Sequence, residues 1–184
     1  MLIYLSHDYR GSSTEINANL TRDVYNFWRP KALAARTATG INQTFTIQHV
    51  TQNMVQQGIN KGGNALGLPL KAQQCKSLLC YISCKDSRKL IYPGWTTLID
   101  WDNEVDDDLA RSVSIETTAQ WDRLSKERGL HIPFLFLNDA SRDQNPLATY
   151  GTSNLDKLKQ ISQSYDPNQI FQKLQNGGFL LSKA

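Results

Sequence analysis

The sequence predicts an α+β fold, in which helices cover one face of an antiparallel sheet. Segments with apolar residues at helical spacing alternate along the chain with short segments typical of strands. The predicted order is helix, strand, short helix, strand, long helix, strand and two final helices, which is typical of helices packed on one side of a sheet. A chain of 184 residues is long enough for one domain with a substantial core.

The first half of the chain contains two predicted helices and one predicted strand. Residues 6–20 are polar and are expected to be irregular. Apolar residues recur at helical spacing from Asn19 to Thr37, where Pro30 is expected to kink or divide the helix. Apolar and polar residues alternate over Thr44–Val50, which predicts a strand, and Asn53–Gln57 is predicted to be a short helix.

The middle of the chain contains a strand followed by a long helix. The residues of Trp95–Trp101 are rich in aromatic and β-branched types, which favours a strand. A helix is predicted from Asp106 to about Arg128, with Gly129 as its stop. The three carboxylates of residues 106–108 complement the positive end of this helix, and a metal site is the alternative interpretation. The predicted buried stripe consists of Val105, Leu109, Val113, Trp121 and Leu124.

The last third is predicted to contain a buried strand and two helices. The apolar run Phe134–Leu137 predicts the strand, and turn-forming residues follow it. Thr152 or Ser153 is expected to cap the first helix. The apolar face of that helix is predicted to consist of Leu155, Leu158, Ile161 and Tyr165.

A second, shorter helix is predicted after Asp166-Pro167. Asp166 is expected to cap it, and Pro167 suits the first helical position because the N–H that proline lacks has no partner there. Gly177-Gly178 should close the helix. Its buried side is predicted to consist of Ile170, Phe171 and Leu174.

Composition and charge exclude some classes of function. A dispersed net charge of +3 does not indicate a nucleic-acid-binding protein. No apolar run approaches the length that a membrane span needs. Residues 1–5 lack the basic segment of a signal peptide, so the sequence alone leads us to expect that the chain is not exported, and its localisation stays open.

An ordered set of motifs in the last third carries a resemblance to a known family. Upstream of it, residues 62–68 read GGNALGL, and the strand at 95–101 is followed by acidic residues. The set itself consists of Leu137-Asn138, Tyr150-Gly151, Leu158, Tyr165-Asp166-Pro167, Phe171 and Gly177-Gly178-Phe179. In this order the residues resemble the carboxyl-terminal part of berberine-bridge-enzyme-like, FAD-linked oxidoreductases of the vanillyl-alcohol-oxidase type, above all their fungal branch. The resemblance covers roughly residues 20–74 and 95–181.

The resemblance implies a function and a set of site residues. In that family an amino-terminal domain holds FAD, and a second domain lays its sheet over the flavin ring and shapes the substrate pocket. A strand motif, Tyr-x-Asn-Tyr, supplies the proton-accepting tyrosine in many members. Here Phe136, Asn138 and Asp139 occupy those positions, which makes Asp139 the tentative base and Asn138 a candidate to touch flavin or substrate, or else a turn residue. Tyr150 either lines the pocket or packs before the following helix.

Residues 75–93 correspond to nothing in the resembled family. All three cysteines lie there, at positions 75, 80 and 84, without a nearby histidine or fourth cysteine to complete a tetrahedral metal site. Cys-Lys-Ser can be encoded across a splice-donor consensus and Pro-Gly across an acceptor. We therefore interpret the segment as an insertion from a retained intron, with a genuine surface loop or a metal site as the alternatives.

The chain lacks any sequence signature of an FAD-binding domain, so it is not expected to bind FAD alone. The principal hypothesis is a truncated or mis-spliced substrate domain of a fungal FAD-linked oxidoreductase that oxidises a small alcohol or carbon–nitrogen substrate of specialised metabolism. A flavin-free binding or cyclisation-guiding module is one alternative. A subunit that complements a separate flavin domain is another. The expected partners are thus a small-molecule substrate and a flavin domain, without nucleic acid or membrane.

Overall fold

The computed structural model describes residues 6–68, 70, 91–175 and 177–184, and for residues 91–97 it describes the backbone alone. The described strands are β1 (Ser6–Thr14), β2 (Asn42–Thr51), β3 (Ile91–Trp101) and β4 (His131–Ile132). The described α-helices are α1 (Ala18–Thr39), α2 (Gln52–Asn60), α3 (Asp107–Glu127), α4 (Thr152–Tyr165) and α5 (Ile170–Leu174). Short 3₁₀ turns occur at Glu104–Asp106, Leu137–Asp139, Leu147–Thr149 and Leu181–Lys183.

The four strands form one antiparallel sheet in the order β2-β3-β1-β4. Helices α1 and α3 pack on one face of it. The ring of Phe45 on β2 lies 5.2 Å from that of Trp28 on α1 and 6.0 Å from that of Trp121 on α3. The predicted α+β class, with helices on an antiparallel sheet, is confirmed.

The expectation that residues 6–20 are irregular is wrong, because β1 lies inside the sheet between β3 and β4. Its side chains are mostly polar, so no apolar alternation marks it as a strand. Polar contacts with the covering helix stabilise it instead. The Ser12 hydroxyl, for example, donates a 2.6 Å hydrogen bond to Asp122 of α3.

Helix α1 is continuous, so Pro30, which lies on its exposed side, does not divide it; a kink at Pro30 stays a prediction. The helix begins after Asn17, whose side chain accepts a 2.9 Å hydrogen bond from the Leu20 N–H. It ends at Gly40, which has a φ of 82° and donates its N–H to the Arg36 carbonyl.

Helix α3 follows its sequence prediction closely. Asp107 in its first turn accepts a 2.6 Å hydrogen bond from the indole N–H of Trp101, so one acidic residue of the 106–108 run ties the helix to β3. The predicted stripe is partly wrong: Val113 and Trp121 are buried, but Leu109 is 39% exposed, and Val105 precedes the helix and is 90% exposed. After the helix, His131 is the first residue of β4.

The predicted strand at Phe134–Leu137 is wrong. The strand β4 ends at Ile132, and Pro133 follows it without an N–H to donate to a ladder. The N–H of Leu135 instead donates to the Thr149 hydroxyl at 3.1 Å.

This part of the chain forms a second core. Its buried members are Ile132, Phe134, Leu147 and Tyr150, and the half-buried side chains packed on them include Leu66, Leu68, Phe136, Leu155, Leu158 and Phe179. The segment after β4 is therefore held by side-chain packing, and a backbone turn at residues 137–139 replaces the expected strand end.

The caps of α4 and α5 differ in part from the prediction. Gly151 occupies the position before α4, so neither Thr152 nor Ser153 caps it. Asp166 does cap α5: its carboxylate accepts hydrogen bonds from the Ile170 N–H at 2.7 Å and the Phe171 N–H at 2.9 Å. The helix nevertheless begins at Ile170 rather than at Pro167.

The predicted burial of the last helices is wrong for several apolar residues of α4 and α5. Leu155 and Leu158 do pack on the second core, whereas Ile161 and Ile170 are exposed. Three residues are more exposed still: Tyr165 is 87%, Phe171 is 71% and Leu174 is 76% exposed.

Most of the predicted insertion lies outside the described residues, the three cysteines included. Its last three residues, 91–93, belong to β3 and pair with residues 49–51 of β2. The interpretation of 75–93 as a retained intron stays a prediction.

Candidate functional site

The sheet has one face covered by helices and an opposite face that we call the open face. Side chains alternate between the two faces along a strand, and directly paired residues share a face. Since Phe45 faces α1 and α3, its neighbours Asn42 and Thr44 lie on the open face. Register with β3 and β1 extends this face over two rows, His7–Asp100–Asn42 and Tyr9–Leu98–Thr44.

These two rows are accessible, whereas the other end of the same face is closed. His7, Tyr9 and Thr44 are exposed. Towards the end of β1, by contrast, Ser13 is 2% exposed, and Gln48 on β2 is 6% exposed. The open face is thus a polar and aromatic platform at one end of the sheet.

A histidine–carboxylate pair lies on this platform. The Nδ1 atom of His7 is 2.7 Å from an oxygen of Asp100, on directly paired positions of β1 and β3. A carboxylate can only accept a hydrogen bond, so Nδ1 carries the hydrogen in the neutral ring. Nε2 is then a hydrogen-bond acceptor, and the side chain that carries it is half-exposed.

An ionic network fixes the segment after the 137–139 turn to the covered face of the sheet. The Arg10 guanidinium donates to both oxygens of Asp143 at 2.7 and 2.6 Å, and Arg111 of α3 donates to Asp143 at 2.8 Å. The buried Ser141 hydroxyl lies within hydrogen-bond distance of two carboxylates. It is 2.8 Å from an oxygen of Asp8 and 2.8 Å from an oxygen of Asp143. The network connects β1, α3 and the loop before α4.

Opposing effects act on the pKa of Asp143. Burial raises the pKa of this carboxyl, but the hydrogen bonds from Arg10 and Ser141 and the positive charge of Arg10 outweigh burial and lower it to about 2. Asp143 is therefore ionised over the whole range in which proteins are usually studied. The network is structural in character, because each of its charged groups already contacts a partner of opposite charge.

Next to this network, the side chain of Gln144 forms hydrogen bonds with the backbone of β1. Its side-chain amide donates to the Gly11 carbonyl at 2.9 Å and accepts from the Gly11 N–H at 3.3 Å. The same oxygen accepts the Ser141 N–H at 3.0 Å. One side chain therefore continues the ladder where the short strand β4 stops.

The four predicted site residues lie near each other, around the turn at residues 137–139 and the second core. Asp139 is 5% exposed and Asn138 is exposed. Phe136 is half-buried and packs on the second core. Tyr150 is buried and its ring stacks on that of Phe134 with centroids 5.8 Å apart.

The environment of Tyr150 is that of a packed side chain. Burial raises the pKa of its phenol, although a hydrogen bond with the Leu137 backbone acts in the opposite direction. The structure thus places Tyr150 in a core rather than on the open face. The catalytic prediction for Asp139, and the contacts predicted for Phe136 and Asn138, stay predictions.

Sequence reasoning missed the open face because it classed the start of the chain as irregular. His7 and Tyr9 lie in a polar stretch without apolar alternation. Their side chains share a face only because β1 is a strand, in which residues two apart point the same way. The partner of His7, Asp100, was inside the predicted strand at 95–101, but no sequence signal indicated which residue would lie opposite it.

The described part of the chain contains small cavities. Two of them have volumes of about 200 and 190 Å³; the first is lined by residues of α4 with Gln169, Leu181 and Ser182, and the second by residues of α1, Ile41 and the start of β2. Pockets that enclose organic ligands usually measure about 300–1,000 Å³. Neither of these two cavities is large enough to enclose a whole FAD molecule.

Metal sites and membrane spans are not found within the described ranges. There, no three residues among His, Cys, Asp and Glu are grouped so that they could hold a metal ion. None of the described helices is both long enough and apolar enough to cross a membrane.

Comparison with known proteins reveals relatives among fungal flavoenzymes. The chain is 29% identical over 175 residues to an FAD-dependent monooxygenase of Arthrobotrys oligospora, covering 95% of the chain and 30% of that protein. It is 32% identical over 136 residues to an FAD-dependent monooxygenase of Fusarium proliferatum, covering 72% of the chain and 22% of the relative. A bifunctional solanapyrone synthase of Alternaria solani is 43% identical over 81 residues, which are 44% of the chain and 16% of the synthase.

These matches define the class of the relatives and its cofactor. Two of these three fungal relatives are FAD-dependent monooxygenases, so FAD is the cofactor of the group to which the chain is similar. The chain spans less than a third of the length of these curated relatives. No family model matches the sequence, and no solved structure matches it.

Proposed function

We propose that this chain is the substrate-binding part of an FAD-dependent oxidoreductase of fungal specialised metabolism, of the berberine-bridge-enzyme-like type. In this proposal the open face of the sheet lies over substrate and flavin, and a separate domain, in the same protein or in another chain, holds the FAD. The observation that carries the proposal is the accessible platform formed by the rows of His7 and Tyr9, on a sheet whose other face is covered by helices. The substrate would be a small alcohol or a carbon–nitrogen compound.

Exposed apolar side chains on α4 and α5 support the need for a second domain. Tyr165, Phe171 and Leu174 are each more than two-thirds exposed. Large exposed apolar side chains in such a number indicate a surface that another protein part covers. A flavin-free module that works alone would instead present a well-solvated surface, so this feature favours the proposal over that alternative.

The length of the relatives is also in accord with the proposal. The Arthrobotrys monooxygenase matches 95% of the chain with only 30% of its own length, so more than two-thirds of that protein lies outside the match. We assign FAD binding to that remaining part, because neither of the two small cavities in the described part of this chain could enclose FAD.

A chimera tests the proposal. In it, the chain replaces the 175 matched residues of the Arthrobotrys monooxygenase, and FAD retained through gel filtration is measured by its visible absorbance. We expect near-stoichiometric FAD in the chimera and no retained FAD in the chain alone. A folded, monodisperse chimera without FAD would refute the proposal.

A second measurement covers the case in which the chimera does not fold. The intact chain is mixed with FAD and passed through the same column. Stoichiometric FAD on the chain alone would show that no other domain is needed, and would overturn the division of roles proposed here.

A further inference from the structure

We propose that the His7–Asp100 pair is a ligand-binding subsite of the open face, in which Nε2 of His7 accepts a hydrogen bond from the hydroxyl of a small aromatic ligand. The inference deepens the proposed function and rests on it, because it specifies which end of the sheet the substrate contacts. His7 is the residue that contacts the ligand. Asp100 is a positioning residue, since it acts through the histidine ring.

The carboxylate of Asp100 fixes the orientation of the His7 ring. Asp100 binds Nδ1 at 2.7 Å, and both residues lie on paired positions of adjacent strands, so the backbone ladder fixes their distance. A histidine held in this way by a carboxylate presents Nε2 as an acceptor with a defined direction. The carboxylate thus determines which ligand group fits: one that donates a hydrogen bond.

An aromatic side chain lies beside the His7–Asp100 pair on the same face of the sheet. Tyr9 is two residues from His7 along β1, so the two side chains are about 7 Å apart at their bases. The Tyr9 side chain is 42% exposed, and half-buried Leu98 lies opposite it on β3. A phenol-sized molecule can therefore place its ring on Tyr9 and Leu98 while its hydroxyl reaches His7.

Charged side chains on the covered face of β1, unlike the His7–Asp100 pair, contact the loop before α4. Asp8 and Arg10, on the covered face of β1, bond to Ser141 and Asp143. The pair of His7 and Asp100 contrasts with them because it lies on the accessible platform, with one ring nitrogen directed away from its partner. This position suits the recognition of a ligand better than the stabilisation of the fold.

The test compares two probes that differ by one hydroxyl. Phenol and toluene are each titrated into the intact chain, and binding is followed through the amide chemical shifts of Tyr9 and Leu98 in nuclear magnetic resonance spectra. We expect phenol to bind about fivefold more tightly than toluene, the factor that one net hydrogen bond supplies. A ratio near one in the unmodified chain would overturn the proposal.

Three variants test whether His7 and Asp100 cause the preference for phenol over toluene. In His7→Phe, which keeps a ring on the strand, the ratio of affinities should fall to about one. In Asp100→Asn it should also fall, because the amide can donate to Nδ1 and so place the ring hydrogen on Nε2. Asn42→Ala, at the same row on β2, is the matched control and should keep the ratio. An unchanged ratio in His7→Phe would refute the assignment.

The test is independent of the proposed function in its readout. The phenol-to-toluene ratio needs no flavin, whereas the chimera experiment measures only retained FAD. If the chimera retains FAD but the phenol-to-toluene ratio is near one, the proposed subsite is refuted and the proposed function is not. Benzoate binding more tightly than phenol would show that the pair prefers an anion, and would also overturn the assignment of a hydroxyl ligand.

Discussion

Arg10 on β1 donates two hydrogen bonds, of 2.7 and 2.6 Å, to the carboxylate of Asp143. The two residues are far apart in sequence, and their contact joins the sheet to the segment that leads into α4. Both bonds come from one terminal nitrogen of the guanidinium, and hydrogen bonds between charged groups are stronger than those between neutral groups. The contact therefore fixes the segment before α4 to strand β1.

Loss of this contact should destabilise the chain. Asp143→Asn removes the charge that Arg10 and Arg111 share, and we expect the free energy of unfolding to fall by about 1–2 kcal/mol, because part of the carboxylate is solvated. Urea denaturation followed by circular dichroism measures the change. Glu127→Gln, which breaks only the exposed contact with Arg123, is the control and should cost less than about 0.5 kcal/mol. Equal effects of the two variants would contradict the assigned role.

Acid should weaken the same contact in a defined range of pH. The folded pKa of Asp143 is about 2, below its ordinary value of 3.8, so this carboxyl favours the folded state at any pH above 3.8. That contribution is lost as the pH falls from about 4 towards 2. Melting temperatures of the unmodified chain should therefore drop more steeply over this range than those of Asp143→Asn. Parallel curves would show that Asp143 does not titrate as described.

Gly67 is expected to tolerate no side chain. Its φ is 62°, and a Cβ there would lie 2.1 Å from the Tyr150 carbonyl oxygen. Gly67→Ala should reduce the free energy of unfolding by about 3 kcal/mol or more, because backbone atoms must move. Gly63→Ala, also at positive φ but with no atom near its Cβ, should cost only about 1–2 kcal/mol. Thermal unfolding of both variants decides the comparison.

The carboxylate of Asp166 should stabilise the start of α5 locally. Asp166→Ala removes both carboxylate hydrogen bonds to the helix start, a change that costs about 1 kcal/mol in comparable caps. Amide hydrogen exchange at Ile170 and Phe171 should accelerate by about fivefold, since each loses its acceptor. Asp156→Ala, on the exposed side of α4, should leave those two rates unchanged.

Substitution of an exposed apolar side chain of α5 should affect docking to the flavin domain but not the stability of the chain. Leu174→Ser should change the free energy of unfolding of the chain by less than about 0.5 kcal/mol, because the side chain is 76% exposed. In the chimera, the same substitution should lower FAD retention if α5 contacts the flavin domain. Leu158→Ser, within the second core, should by contrast destabilise the chain itself. A destabilised Leu174→Ser chain would mean that the side chain is buried.

Elements with strong local signals were predictable from the sequence. Helices α1 and α3 and strand β2 lie where apolar periodicity predicted them, and β3 contains the segment whose residue types predicted a strand. Asp166 accepts hydrogen bonds from the start of α5, although that helix begins three residues later than expected. Strand β1 was missed because its side chains are polar and its stability comes from neighbouring strands and from α3. The Phe134–Leu137 run was misjudged because apolar composition predicts burial, and Pro133 prevents the ladder that burial alone would suggest.

The sequence by itself determined the class of fold, the resemblance to FAD-linked oxidoreductases and the positions of Phe136, Asn138, Asp139 and Tyr150 as predicted site residues. Each depends on residue types and their spacing, which are local properties. Only the tertiary structure decided that Tyr150 packs in a core and that His7 meets Asp100 across two strands. The pairing of residues 93 positions apart depends on sheet register, and register is set by the packing of the whole sheet against its helices.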